Sequence, residues 1–277
     1  MSALATRFSR NSNVLRGEIP LTEGQLRHVA PSLFAQSAHA SRSGRYAYIP
    51  TIEILHGLQR EGFQPFFAAQ SCCRTEGKSE FTKHMLRLRH AAQINTKGEA
   101  NEVILINSHD GTSSYQMLAG QFRFVCHNGT VCGDIVQDVR VKHSGRACEE
   151  VVAGAFEVLD GFTRVVESTE AMKALTLDDG EQVAFARAAL ALRYDDPAKP
   201  APVQPEQVIQ PRRFEDRGPD LWTVFNRTQE SLVRGGLRGV NASGQRTTTR
   251  PVSSIDGDVK LNRALWILAE EMKRLKG

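Results

Sequence analysis

The sequence of 277 residues has no long apolar run: nothing in it approaches the roughly 20 consecutive apolar residues of a membrane span, so no membrane partner is expected. The first residues lack the continuous apolar core of a secretory signal, which makes the cytoplasm the expected compartment. Cysteine is sparse. There are five, an odd number at irregular spacing, which argues against a disulfide framework and for a reducing compartment. Cys126, His127 and Cys132 in CHNGTVC match none of the usual zinc spacings. If Asn128-Gly129 makes a two-residue turn, the thiols of Cys126 and Cys132 fall on opposite faces of a sheet and cannot share an ion. No metal and no cofactor are therefore expected. Also missing are a GxSxG nucleophile turn, a P-loop, a Rossmann fingerprint and any repeat at solenoid periods. A large charge imbalance is absent too. Lys and Arg number 35 against 31 Asp and Glu, a net +4, and the pI is about 8.9. That mild excess suits a nucleic-acid partner without requiring one.

What is present centres on residues 84–143. HMLRLRH, EVILINS, YQMLAGQFRFVCH and VCGDIVQDVRVKH read as strands, divided by Asp110-Gly111 and by Asn128-Gly129, the strongest short hairpin signal. Leu86 and Leu88 alternate with Arg87 and Arg89, Phe122 and Phe124 with Arg123, and Val139 and Val141 with Arg140 and Lys142. The expectation is an α+β fold: an antiparallel sheet of about five strands, with one apolar face under helices and one face carrying arginines.

The flanking chain divides into three expected regions: an arm over 1–45, an α+β core over 46–196, and a proline-rich linker with a helical part over 197–277. Thr22 is expected to cap a short helix ending before Pro31, and Thr51 a second one ending at Gly62. AQSAHASRSGR reads as a linker. From Ala147 the apolar period changes to about 3.6 and predicts one long helix reaching Val166; a second covers 179–194. DDPAKPAPVQPEQVIQP breaks the pattern and marks a boundary. DLWTVFNRTQESLVRGG and the stretch from about Asp256 predict two more helices.

Three constellations carry possible chemistry. Arg87, Arg89, Arg123, Arg140 and Lys142 could track a phosphate backbone along the sheet; the alternative is a solvated face paired with acids such as Asp134 and Asp138. Arg234, Arg238, Arg246 and Arg250 stand among Gly, Ser and Thr with no acid between them, a flexible segment able to close on a polyanion or a plain surface connection. Asn226 and Gln229 share a helical face beside it and serve either a ligand or the cap of that loop. In NSHDGTSS, the backbone and hydroxyls of His109, Asp110, Gly111, Thr112 and Ser113 form a candidate anion-binding loop, while Asp-Gly also explains a bare turn. The vicinal His109-Asp110 pair supports the rival reading, a metal-dependent nuclease or phosphohydrolase.

The combination RYAYIPTIEILHGLQREGF, HMLRLRH, NSHDGTSSYQMLAGQFRFVCHNG, NRTQESLVRGG and DVKLNRALWILAEE resembles the domain-of-unknown-function family 932 of phage- and plasmid-like proteins, over nearly the whole chain. The resemblance implies carriage on prophages, plasmids or integrated islands. The order helix, strand meander, long helix over about 46–170, with Tyr48, Ile49, Gly62 and Phe63, is similar to the core of single-strand annealing recombinases. That likeness implies a homo-oligomer holding single-stranded DNA in a basic groove; the helical tail departs from it. The leading expectation is a non-catalytic mobile-element protein that binds single-stranded DNA and promotes annealing or recombination. A protein-binding factor that counters host defences is a third class.

Overall fold

A computed structural model describes residues 12–39, 48–72, 77–93, 98–133, 138–142 and 145–277. Most of the expected linker AQSAHASRSGR, and Asp134, lie outside the described residues. The chain forms two compact units. The first holds residues 1–122, 136–162 and 253–255; the second holds 123–135, 163–252 and 256–277. The boundary expected at residue 197 is therefore not where the units part: the proline-rich stretch lies inside the second. Its Val203 and Val208 are buried there, and Pro202 accepts a hydrogen bond from the Val240 amide at 2.8 Å.

The first unit is the expected meander. Its elements begin with β1 (Ser12–Arg16), α1 (Glu23–Val29), α2 (Thr51–Arg60), β2 (Phe63–Ser71), β3 (His84–His90), β4 (Glu99–Asn107) and β5 (Tyr115–Arg123). After β6 (Asn128–Val131), which belongs to the second unit, come β7 (Val139–Val141) and α3 (Ala147–Asp160). Strands β1 to β5 neighbour one another in sequence order, and β7 pairs antiparallel with β5. Register places Arg87 between Phe67 on one side and Ile104 on the other. Pro65 cannot donate to a ladder, and the pairing shifts between it and Phe67. Thr22 caps α1 as expected, in a reciprocal box with Gln25.

One face of this sheet packs on helices. Leu86 and Leu88 are buried, as are Ile54, Leu55 and Leu58 of α2 and Val151, Ala155 and Val158 of α3. α3 lies so close that a Cβ on Gly154 would meet Met117 Cε at 2.5 Å and Val139 Cγ1 at 2.7 Å. A side chain there would force the side chains of Met117 and Val139 to give way. The opposite face departs from expectation. It is not solvated: Arg87 and Arg89 are each 2% exposed. Alternation separates two faces but does not say what covers each.

The second unit is helical: α4 (Phe162–Ala174), α5 (Asp179–Arg193), α6 (Pro205–Val208), α7 (Leu221–Arg234) and α8 (Ile255–Lys276), with a hairpin of β8 (Arg238–Val240) and β9 (Arg246–Thr248). The single helix expected over 147–166 is two, α3 and α4, separated at Gly161, which caps the C-terminus of α3. α5 starts on a capping box between Asp178 and Glu181. α7 is the core of this unit: every residue from Leu221 to Val233 is buried. Trp222 stacks on Phe225 at 5.3 Å, and Trp266 meets both edge-on at 6.1 and 6.0 Å. Gly235 and Gly236, at φ +66° and +86°, end it.

The turn expected at Asn128-Gly129 lies earlier. The chain reverses over Phe124–His127, where His127 takes the left-handed conformation at φ 54°, and Asn128 and Gly129 already belong to β6. The opposite-face argument for Cys126 and Cys132 rested on that turn and lapses with it; both are buried.

Candidate nucleic-acid interface

The arginines expected to line the sheet fall into three groups with different fates. Arg87 and Arg89 converge on Glu102, which is fully buried. Arg87 Nη1 donates to Oε2 at 3.1 Å, and Arg89 Nε and Nη2 donate to Oε1 at 3.0 and 2.9 Å. Aromatic faces complete the enclosure: the Arg89 guanidinium lies 4.2 Å from the Phe66 ring centre and 4.8 Å from Phe122. These two arginines are part of the interior and present nothing to a polyanion.

Arg123 meets the same end in the second unit. Its Nη1 donates to Asp216 Oδ1 at 2.6 Å. Burial opposes its charge, but the hydrogen bond to Asp216 together with the interactions with the Asp216 and Cys126 side chains outweighs that and holds its pKa above the ordinary arginine value. Asp216 also accepts from Arg213 at 2.6 Å, Arg213 donates twice to Glu230 at 2.8 and 2.6 Å, and Glu230 accepts from Arg234 at 2.9 Å. Arg234 donates further to the Cys126 carbonyl at 2.5 Å. The result is a chain of alternating charge, Arg123–Asp216–Arg213–Glu230–Arg234. It removes Arg123 and Arg234 from the expected binding set. Arg140 and Lys142 are exposed at β7 of the first unit, on the face opposite Val139 and Val141 as the alternation requires.

Several donors of the loop 107–114 are already engaged within the protein. The Thr112 amide donates to Asp110 Oδ1 at 3.0 Å and its hydroxyl to the same oxygen at 2.6 Å. The Ser113 amide donates to Ser108 Oγ at 2.8 Å, the Ser113 hydroxyl to the Ser114 carbonyl at 3.0 Å, and the His109 amide to the Phe81 carbonyl at 3.0 Å. Gly111 sits at φ +79°. Although burial opposes its charge, Thr112 holds the Asp110 carboxyl below the usual carboxylate range. In the candidate anion-binding loop, the His109, Thr112 and Ser113 amides and the Thr112 and Ser113 hydroxyls are thus engaged inside the protein.

His109 points inward, into a cluster the sequence did not reveal. Thr51 Oγ1 lies 3.1 Å from His109 Nε2, 2.9 Å from His84 Nε2 and 3.1 Å from Asn107 Nδ2, which donates to it. His84 Nδ1 lies 2.8 Å from Ser32 Oγ, which donates to Gln70 Oε1 at 2.8 Å. One assignment of protons accounts for all of these. His109 donates to Thr51, Thr51 donates to His84 Nε2, and His84 donates from Nδ1 to Ser32. Thr51 is thus no helix cap: it is the first residue of α2, behind Pro50, and its hydroxyl ties the helix to β3 and β4. Thr51→Val keeps the shape and takes one hydrogen bond from each of three buried groups. We expect a loss of about 2–4 kcal/mol, against under about 1 for Thr51→Ser. Urea unfolding checks this, and a valine variant as stable as the wild type contradicts it.

Arg238, Arg246 and Arg250 remain. The acid-free stretch is not a flexible loop but the β8–β9 hairpin, with Arg238 opposite Thr248 and Val240 opposite Arg246. Paired residues share a face, so Arg238, Val240, Arg246 and Thr248 lie together, and all four are exposed. Gly239, on the other face, leaves no room for a side chain: a Cβ would sit 1.9 Å from the Pro202 carbonyl oxygen. Asn241 closes the turn by accepting from the amides of Ser243 at 3.0 Å and Gln245 at 2.9 Å. The hairpin is therefore held from beneath while its arginines face outward. Among the described residues, no carboxylate pairs with Arg238, Arg246 or Arg250. Asn226 and Gln229 are buried in α7 rather than facing this hairpin. Asn226 donates to the Trp222 carbonyl at 2.8 Å, and Gln229 donates to Asn262 at 2.7 Å.

Among the described residues, no helix is long and apolar enough to cross a membrane, and no three His, Cys, Asp or Glu gather as metal ligands. A family model described as Domain of unknown function (DUF932) matches residues 38–266. Two proteins of Escherichia coli (strain K12), UPF0380 protein YafZ and UPF0380 protein YfjQ, are each 53% identical to this chain over 272 residues, covering 98% of it and 98% of their own length. No solved structure gives a significant match. The chain belongs to the DUF932 family.

Proposed function

We propose that this protein is a non-catalytic binder of single-stranded DNA and that the outer face of the β8–β9 hairpin is its contact surface. The observation that carries the reading is a contrast. Arg87, Arg89, Arg123, Arg213 and Arg234 are each paired with a carboxylate. Arg238 and Arg246 stand exposed on one face of a braced hairpin, and Arg250 follows at its end. Guanidinium groups so placed suit phosphate oxygens. Contacts to the backbone leave base edges free, which is what annealing of complementary strands needs. The His109-Asp110 pair lends a nuclease reading no support, because His109 bonds to Thr51 and Asp110 to Thr112.

Three phosphate contacts on a single strand predict that log K falls against log salt with a slope of about −2. The test is a salt titration of a labelled oligonucleotide, with and without magnesium and chelator. A steep slope with no strand cutting supports the proposal. A flat slope, or no binding at low salt, overturns it.

A further inference from the structure

We infer that Phe214 is a stacking platform for an unpaired nucleobase, which makes this surface selective for single strands over duplex. The inference rests on the hairpin reading above. Phe214 is 77% exposed, the most exposed large apolar side chain of the described residues. It sits at the start of a tight turn over Phe214–Asp216, and its neighbours are fixed on both sides. Asp216, 1% exposed, is gripped by Arg123 and Arg213, and Arg213 is bound twice to Glu230 of α7. Arg212 reaches the Gly235 carbonyl at 3.2 Å, just before β8, and Gln207 reaches the Arg238 carbonyl at 3.0 Å. The segment that carries Phe214 is thus laid against the hairpin's first strand. Arg217 brings its guanidinium to 5.2 Å from the centre of a ring that stays largely exposed to a planar partner.

A rigid turn that holds a phenylalanine in water beside a guanidinium has the parts of a base-stacking site. The aromatic face takes the base and the nearby arginines take the backbone. The surrounding charge favours a polyanion. Arg212, Arg217, Arg238, Arg246 and Arg250 are exposed, while Asp216 and Glu230 are neutralised within the charge chain; Glu206 and Glu215 are the exposed acids of the segment 205–217. Stacking needs a base out of its duplex, so the contact discriminates strand state rather than sequence.

The experiment uses the full chain with a fluorescein-labelled oligothymidine and a mixed-sequence duplex. Phe214→Ala is expected to lose about 5- to 100-fold in affinity for the single strand, with its salt slope unchanged, and less than about 2-fold for the duplex. Phe214→Trp restores binding. Both native tryptophans, Trp222 and Trp266, are buried, so the added indole reports directly and its emission is quenched when the oligonucleotide binds. An alanine variant that binds the single strand like wild type, or a tryptophan variant whose emission ignores it, overturns the inference. If R238E/R246E still loses affinity in that case, the hairpin reading survives alone. If the wild-type protein binds neither nucleic acid, both fall.

Discussion

Glu102→Leu lowers the stability of the first unit by about 3–5 kcal/mol. Glu102 is fully buried and accepts three hydrogen bonds from two arginines that are themselves 2% exposed. A buried lysine or carboxyl left alone can shed its charge by shifting its pKa; a guanidinium cannot. Removing Glu102 therefore takes the carboxylate from two permanent, buried charges, and the cation–π contacts of Arg89 with Phe66 and Phe122 return only part of the loss. Glu102→Gln keeps the shape and an acceptor and costs less. The combined variant R87M/R89M/E102L removes donors and acceptor together and recovers most of the stability, because an apolar replacement of a whole buried ion cluster is often neutral or better. Urea unfolding of the three variants is the measurement. If Glu102→Leu unfolds at the wild-type midpoint, the two arginines reach water without Glu102, and the sheet face is solvated after all.

Asp216→Ala is expected to cost about 2–4 kcal/mol in the second unit. Its carboxylate is 1% exposed and bridges Arg123 and Arg213 at 2.6 Å each. Arg213 keeps Glu230, whose hydrogen bonds chiefly hold its pKa above the ordinary value, so it stays charged and partnered. Arg123 loses its carboxylate and stays charged in a buried place. Asp216→Asn retains one acceptor and costs less. Because the bridge is buried, added salt should leave the loss nearly unchanged, unlike that of a surface pair. Thermal unfolding in low and high salt decides it. An alanine variant within about 0.5 kcal/mol of wild type contradicts the anchoring role.

Much of the fold was legible from local pattern. Period-two alternation gives β3 as His84–His90, and the caps at Thr22 and the stop at Gly235-Gly236 follow from backbone chemistry alone. The fate of the arginines was not legible, because their partners are distant in sequence. Glu102 lies 15 and 13 residues from Arg87 and Arg89, and Asp216 lies 93 from Arg123. An alternating Arg strand reads as wet whenever its carboxylate is out of view. α7 misleads similarly. In NRTQES, Asn226 and Gln229 read as serving a ligand or capping the next loop, yet the stretch is buried, with Arg227 donating to Gln182 at 3.0 Å and Gln229 to Asn262 at 2.7 Å. The β8–β9 hairpin escaped because each strand has only three residues, too few for a period. Its signal was there in small form: Arg-Gly-Val and Arg-Thr-Thr flank Asn241 and Gly244, a pairing that places Arg238 and Arg246 on one face.

The most direct test of the hairpin as a phosphate-binding surface is the salt dependence of oligonucleotide affinity in wild type and R238E/R246E. Both residues are exposed and their removal leaves the buried charge chain intact. The prediction is a loss of at least about 10-fold in affinity, with the slope shallower by more than about 1, and an unchanged melting temperature. Equal affinities and parallel slopes for the two proteins would contradict it.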